Sequence, residues 1–435
     1  MKKELFKFQQ NALNSVKDKQ NALLCWGMGT GKTVSSIALA EHWGSEILVC
    51  LVLKSTLNQW IDALKEQTER AVYNGYKKTK KDGINVFMLH EGRKALVIGY
   101  DAFKTKSADK LRKYVSDNEE KSTIICDESS LIGHMESART RAVMKTKSQH
   151  KMMLSGTPAT GGKMEALLPT MNMLGWEMSK NTFLNRFCTV YNWTDPTRPW
   201  CTIPIITGYK NLDELHDGLA EHGTSFLTME EAGWELPETT EQMLDIDTIP
   251  EYKKFMKNGI VKIGDAEIVG DNNLTKMLYA RQLCSVYNKD KMKTLEELLA
   301  QAGDEPVLIF YNWTSEFNRI KKLCEKLKRP ISVVNGQKKD LAAYNENQPG
   351  TVILAQYQAA SMGLNLQKCR ICIFYSLCLS YSDYEQAKCR IHRIGQERNC
   401  NFYNLICKDS IEEKIMERLQ ERKDYTEQLF VDQYS

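Results

Sequence analysis

Residues 22–33, ALLCWGMGTGKT, carry an apolar run straight into Gly27, Gly29 and Gly31, and the following KTVSSIALA continues with a helical pattern. Glycines let the chain turn so that several backbone N–H groups aim at one point. The N-terminus of a helix adds a partial positive charge there, which suits a phosphate. In that arrangement Gly29, Thr30 and Gly31 form the cradle, Lys32 reaches the β- and γ-phosphates, and the Thr33 hydroxyl can ligate Mg2+. The strict spacing G-x-x-x-x-G-K-T asks for a glycine at 26, where this chain has Trp26. A strand that feeds a phosphate loop and then a helix belongs to a parallel α/β sheet, so this stretch constrains the fold more than any other.

The rest of the chain repeats the pattern. NALLCWG (21–27), EILVCLVL (46–53), ALVIGYD (95–101), STIICDE (122–128) and HKMMLSGT (150–157) each read as a buried strand, with amphipathic segments such as TLNQWIDALKEQ between them. Alternating strands and helices predict a doubly wound parallel sheet. A second series follows in PVLIFYNW, PISVVNG, TVILAQY, RICIFYSL and NFYNLICK, between 306 and 408. At 435 residues the chain exceeds what one core usually serves. The expected organisation is therefore two α/β domains, 1–246 and 247–435, with a helical, aromatic-rich insertion over about 171–236 closing the first.

The STIICDE strand ends on Asp127 and Glu128. A phosphate-loop ATPase needs a carboxylate on a neighbouring strand for Mg2+ and a base to orient the attacking water. Asp127 suits the first task and Glu128 the second. Thirteen cysteines without framework spacing read as reduced thiols. Cys369 and Cys372 read as buried structural residues, because no second C-x-x-C follows at finger spacing. The N-terminus lacks the apolar segment of a signal peptide, and no apolar run approaches the ~20 residues that span a bilayer. A cytoplasmic protein without a membrane partner is expected. Net charge is +4, which neither demands nor forbids an anionic partner. Of two readings for Lys77, Lys78, Lys80 and Lys81, contact with phosphates and an ordinary solvated turn, the solvated turn is favoured.

EQAKCRIHRIGQERNCNFYNLICKDSIEEKI resembles the sixth motif of the Swi/Snf-type ATPases, a branch of the superfamily-two helicases. LFKFQQNAL is similar to that family's glutamine motif, which implies that Gln9 reads adenine with Phe8 packed beside it. LVCLVLKSTLNQW, LVIGYDAF and VVNG resemble backbone-tracking motifs. With QYQAASMGLNLQ, which resembles motif V, they imply nucleic-acid contacts from Lys54, Ser55, Tyr100, Asn335, Gly336 and Gln356, and a nucleotide contact from Gly363. MLSGTPA resembles motif III, so Ser155, Gly156 and Thr157 would couple the two sites, together with Ser129, Ser130 and Gln386.

The resemblance implies two RecA-like lobes that hydrolyse ATP with Mg2+ and track double-stranded DNA, or else single-stranded DNA. Arg390 and Arg393 would act on the transferring phosphoryl group. A strand-separating DNA or RNA helicase and a nucleotide-gated clamp with little turnover are the alternatives. Departures are specific: Ser129-Ser130 replaces the usual Ala-His, Ala360 and Ser361 replace a glycine pair, and an acidic segment precedes ELPETT. A compact, monomeric motor of bacterial or phage type, with partners in replication, recombination or repair left open, is the expectation.

Overall fold

The computed structural model describes residues 4–159, 163–195, 198–233, 235–263, 266–357 and 364–428. Two compact units divide the chain, one up to Glu235 and one over Leu236–Lys423.

In the first unit, strands β1 (Ala22–Trp26), β2 (Ile47–Val52), β3 (Ala71–Asn74), β4 (Lys94–Gly99), β5 (Ser122–Cys126) and β6 (His150–Ser155) lie in one sheet. An antiparallel hairpin, β7 (Cys188–Asp195) and β8 (Arg198–Tyr209), stands outside it, and β9 (Thr224–Leu227) returns to its edge. The order is β3-β4-β2-β5-β6-β1-β9, and every pairing is parallel. β1, β2, β4 and β5 are buried along their whole length because helices cover both faces. Two apolar clusters form on the opposite faces: one holds Leu23, Val49, Leu96 and Ile124, the other Leu24, Cys50, Val97 and Ile125.

The second unit repeats the plan with β10 (Thr239–Ile246), a small hairpin β11 (Ile260–Ile263) and β12 (Ala266–Val269), then β13 (Val307–Tyr311), β14 (Ile331–Val334), β15 (Lys339–Asp340), β16 (Val352–Gln356), β17 (Ile371–Phe374) and β18 (Cys400–Cys407). Its sheet runs β10-β18-β17-β13-β16-β14-β15, parallel except for the short β15. Two fully wound parallel sheets are the fold class expected from the alternation.

Residues 239–246, assigned from sequence to the first domain, instead pair with β18 over eight residues and belong to the second sheet. The segment after 171 also differs from a helical insertion, since it contains the β7–β8 hairpin and the strand β9.

A buried ion pair ties the last helix, which begins at Ile411, to the second core. Lys291 Nζ lies 2.7 Å from both carboxylate oxygens of Glu412, and both side chains are almost wholly inaccessible. Cys284 and Cys407 complete this cluster, with Asn288 Nδ2 donating to Cys407 Sγ at 3.4 Å. Lys291 supplies the cation for Glu412. Cys369 and Cys372 are buried free thiols, both pushed up by desolvation. No described helix is long and apolar enough to cross a membrane.

Candidate nucleotide site

α1 (Lys7–Asn14) brings Gln9 over the glycine loop that joins β1 to α2 (Lys32–His42). Gln9 Nε2 donates to the Thr30 carbonyl at 2.9 Å, and its Oε1 accepts from the Phe6 N–H at 3.0 Å. Gly29 and Gly31 take φ values of 87° and 84°, and a Cβ on Gly31 would fall 2.3 Å from Gln9 Nε2. The loop therefore needs glycine for backbone conformation and for space. Gln9 joins α1 to the loop, and the stacked rings of Phe6 and Phe8, 5.8 Å apart, flank it. Sequence reasoning singled out Phe8, yet Phe6 is the more exposed ring.

Lys32 Nζ donates to the carbonyls of Trp26 and Gly27 at 2.8 and 3.0 Å. Trp26 resolves its own departure from the strict spacing. Its side chain is fully buried, with Nε1 donating to Ser225 Oγ at 3.0 Å, while its carbonyl faces Lys32. Position 26 thus serves the loop through its backbone. Thr33 sits in the first turn of α2, partly exposed.

Three adjacent strands carry the rest of the site at their C-terminal ends. Cys25 pairs with Ser155, and Cys126 with Met153, so the glycine loop, Ser155-Gly156-Thr157 and Asp127-Glu128 leave the sheet side by side. A Cβ on Gly156 would come within 3.3 Å of the Trp26 carbonyl and 3.7 Å of Lys32 Nζ. Ser155 Oγ accepts from the Thr157 N–H at 3.1 Å, which fixes that turn.

The acidic corner is held from two sides. Trp60 Nε1, on the helix Leu57–Gln67, donates to Asp127 Oδ2 at 2.8 Å, and Tyr100 Oη donates to the Asp127 carbonyl at 2.6 Å. Burial, and then the charge of Glu128, push the Asp127 carboxyl well above the ordinary carboxylate range; Trp60 and Lys32 offset part of this. Glu128 has φ 49° and ψ 57°, a left-handed conformation that costs a non-glycine residue roughly 1–2 kcal/mol. Ser129 is buried at the start of the following 3-10 turn. The crowded carboxylate pair, within reach of the Lys32 charge, and the hydroxyl of Thr33 in the first turn of α2 are hard oxygen donors of the kind Mg2+ takes.

Tyr100 corrects a sequence expectation. It is 4% exposed and braces Asp127, so it is no surface contact for nucleic acid. Lys54 and Ser55 are exposed at the end of β2. Trp60 was missed. Its signal was an indole N–H at a core position, a polar group that requires a partner when buried.

In the second unit, Asn335 Oδ1 accepts from the Gln337 and Lys338 N–H groups at 2.9 and 2.8 Å, leaving Gly336 exposed. Gln356 Nε2 donates to the Asn312 carbonyl at 3.1 Å. After the helix Tyr381–Lys388, Arg390 is 9% exposed, and Arg393 is partly exposed with Nη1 donating to the Leu364 carbonyl at 3.2 Å. Gln396 Nε2 lies within 3.0, 2.8 and 3.1 Å of the carbonyls of Gln367, Cys369 and Ile391, closing this loop on itself. Gln386 is half-buried, its Nε2 3.4 Å from Ser382 Oγ on its own helix. Gly363 lies outside the described residues.

A family model described as SNF2-related domain matches residues 7–293, and one described as helicase conserved C-terminal domain matches 290–395. The chain is similar to the SWI/SNF-related matrix-associated actin-dependent regulator of chromatin subfamily A-like protein 1 of Xenopus laevis, with 23% identity over 96% of this chain and 43% of that protein. It is also similar to protein p41 of Acyrthosiphon pisum secondary endosymbiont phage 1, with 24% identity over 94% of each. Against the solved Sulfolobus solfataricus SWI2/SNF2 ATPase core in complex with dsDNA, identity is 20% over 98% of this chain and 93% of the other, with a TM-score of 0.44. The chain spans less than half the length of the first curated relatives it matches.

Proposed function

The chain belongs to the family of SNF2-related domain ATPases, and from that premise we propose that it is a motor that couples ATP hydrolysis to movement along double-stranded DNA. The observation that carries the reading is the convergence at the ends of β1, β6 and β5. A glycine loop with Lys32, the Gly156 turn and the Asp127-Glu128 corner leave three neighbouring strands together. Such a constellation serves phosphoryl transfer by positioning and charge stabilisation.

In the proposed mechanism the N–H groups of Gly29, Thr30 and Gly31 receive the phosphates. Lys32 exchanges the carbonyls of Trp26 and Gly27 for phosphate oxygens. Thr33 and Asp127 would hold Mg2+, which neutralises phosphate charge when bound. Trp60 fixes one oxygen of Asp127, and Tyr100 fixes its carbonyl. Glu128 orients the attacking water and accepts its proton. Arg390 and Arg393 are the candidate groups for the charge of the transferring phosphoryl group. Gly156 lies against Lys32, so a change of the nucleotide at the loop reaches the Ser155–Thr157 turn directly. The nucleic-acid side comprises Lys54 and Ser55 in the first unit and Asn335, Gly336 and Gln356 in the second. Backbone rather than base contacts imply weak sequence preference.

The test is steady-state ATP hydrolysis without nucleic acid, then with single-stranded DNA, duplex DNA and duplex RNA, with Lys32→Ala as the control. Stimulation by duplex DNA that rises with duplex length supports a tracking motor. Slow hydrolysis indifferent to every nucleic acid would replace it with a nucleotide-gated clamp.

A further inference from the structure

The lysine-rich turn after β3 is built rather than loose. Asp82 Oδ1 accepts from the N–H groups of Asn74 and Gly83 at 2.7 and 2.8 Å, and Thr79 bridges Asp82 through the backbone. Tyr76 anchors the turn to the sheet. Its hydroxyl packs against Gly99 at the end of β4, where a Cβ would come within 2.3 Å of it. Lys54, leaving β2, places its ammonium 5.8 Å from the centre of the Tyr76 ring. Lys77, Lys78, Lys80 and Lys81 are all exposed.

Because these strands are parallel, the ends of β2, β3 and β4 lie on the edge from which Lys32 and Asp127 also emerge. Beyond Tyr76, Asp101 pairs with Lys104 at 2.8 Å and with Arg139 at 2.9 Å, so that carboxylate is over-compensated. Asp82 is partly used by the turn and lies 3.6 Å from Lys77. Lys54, Lys77, Lys78, Lys80, Lys81, Lys104 and Arg139 outnumber Asp82 and Asp101 by five on this part of the edge.

We propose that Lys54, Tyr76 and the Lys77–Lys81 turn form a second grip on the phosphate backbone of duplex DNA, extending the Lys54-Ser55 contact along the β2-β3-β4 edge. This rests on the proposed function and deepens it, adding Tyr76 and the lysine turn to the motif residue Lys54. The turn offers point charges on a fixed frame. It raises affinity and salt dependence without reading base sequence.

The experiment measures binding of a fluorescent duplex by anisotropy across a salt series. It compares the full chain, a variant with Lys77, Lys78, Lys80 and Lys81 changed to Ala, and a control with Lys293, Lys321, Lys322 and Lys326 changed to Ala. The control residues are exposed lysines on helices of the second unit. Every phosphate that a lysine no longer neutralises lowers the slope of log K against log salt by about 0.9. We expect the turn variant to flatten that slope by about 2–4 and to weaken binding about 10²-fold near ~0.15 M salt. The control should follow the unmodified chain, and melting profiles of all three should coincide.

An unchanged slope in the turn variant overturns the second grip while leaving the motor reading standing. Equal flattening in both variants overturns it too, since net charge alone would then explain the weaker binding. If the unmodified chain shows no salt-dependent duplex binding, the grip and the motor reading fall together.

Discussion

Asp127, at the end of β5, and Glu412, at the start of the last helix, are both carboxylates drawn largely out of water, one in each unit. The first unit leaves its acid in electrostatic conflict. Asp127 stands beside Glu128 with an indole N–H for support, and its affinity for a proton rises accordingly. The second unit gives Glu412 a resident ammonium, bonded through both oxygens, and the Cys407 N–H at 2.9 Å besides. A buried acid bonded to its own cation holds a fold together, whereas a crowded acid that Lys32 only partly offsets creates a demand that a diffusible cation can meet. Two sheets of the same plan thus separate structural from reactive charge by how completely a cation of the chain compensates the acid.

The sharpest way to break this comparison is through turnover. Glu128→Gln should lower ATP hydrolysis by about 10²–10⁴-fold, the usual range for loss of a general base. Lys32→Ala should abolish measurable turnover, with nucleotide binding weakened as well. A Glu128→Gln enzyme that keeps most of its rate would move the base elsewhere and end the assignment made here.

Next in size comes the structural pair. Lys291→Met strands Glu412 in the second core and should cost about 3–5 kcal/mol of unfolding free energy, read from urea titration of the full chain. Replacing both partners, Lys291→Met with Glu412→Leu, should recover most of that stability, because the desolvation of two ions is removed along with their attraction. A double variant as unstable as the single one would show that Glu412 matters through the Cys407 N–H rather than through Lys291.

This contrast marks what could be read from the amino-acid order. Long apolar runs such as ILVCLV and VLIFY could only be buried strands, and both became central ones. TTEQMLDI, AVYN and TSFL were passed over because edge strands need little apolar surface. β10 is exposed over most of its length, yet it pairs with β18 residue by residue. At the candidate site, Lys32 and Asp127 were legible because the chemistry demands those residue types near glycines and a strand end. Trp60 and Tyr100 were not. An aromatic side chain on an amphipathic helix, or after a strand, reads as core, and only the fold shows which acid its polar tip meets. Glu412 was hidden similarly. SIEEKI reads as a charged helix face, and nothing local says that one of its two glutamates turns inward to a lysine 121 residues earlier.

Backbone strain at Glu128 offers a smaller and independent handle. Glycine enters the left-handed region without the Cβ penalty, so Glu128→Gly should be more stable than Glu128→Ala by roughly 1 kcal/mol, although neither hydrolyses ATP. The ordinary preference runs the other way, since glycine is normally the costlier residue to order. Equal stability of the two variants would mean that the turn relaxes and stores no strain.

The smallest effect tests the comparison most directly. Asp127 has a carboxyl raised above its unfolded value, so the folded state holds its proton more tightly than the unfolded chain does. The associated stability is present below the unfolded pKa. It is lost as pH rises from the ordinary carboxylate range through the raised folded value. Asp127→Asn removes this penalty and keeps an oxygen that can accept from Trp60. In EDTA the variant should therefore melt close to the unmodified chain at about pH 4, near the ordinary carboxylate value, and its advantage should grow as pH rises. At about pH 8 it should melt roughly 2–4 °C higher, corresponding to about 1 kcal/mol for a unit of this size. Adding Mg2+ should narrow the difference from the other side, by stabilising only the chain that retains the carboxylate. If Asp127→Asn were instead destabilising at both pH values and blind to Mg2+, Asp127 would be a structural acid like Glu412, and the two units would not differ in the way argued here.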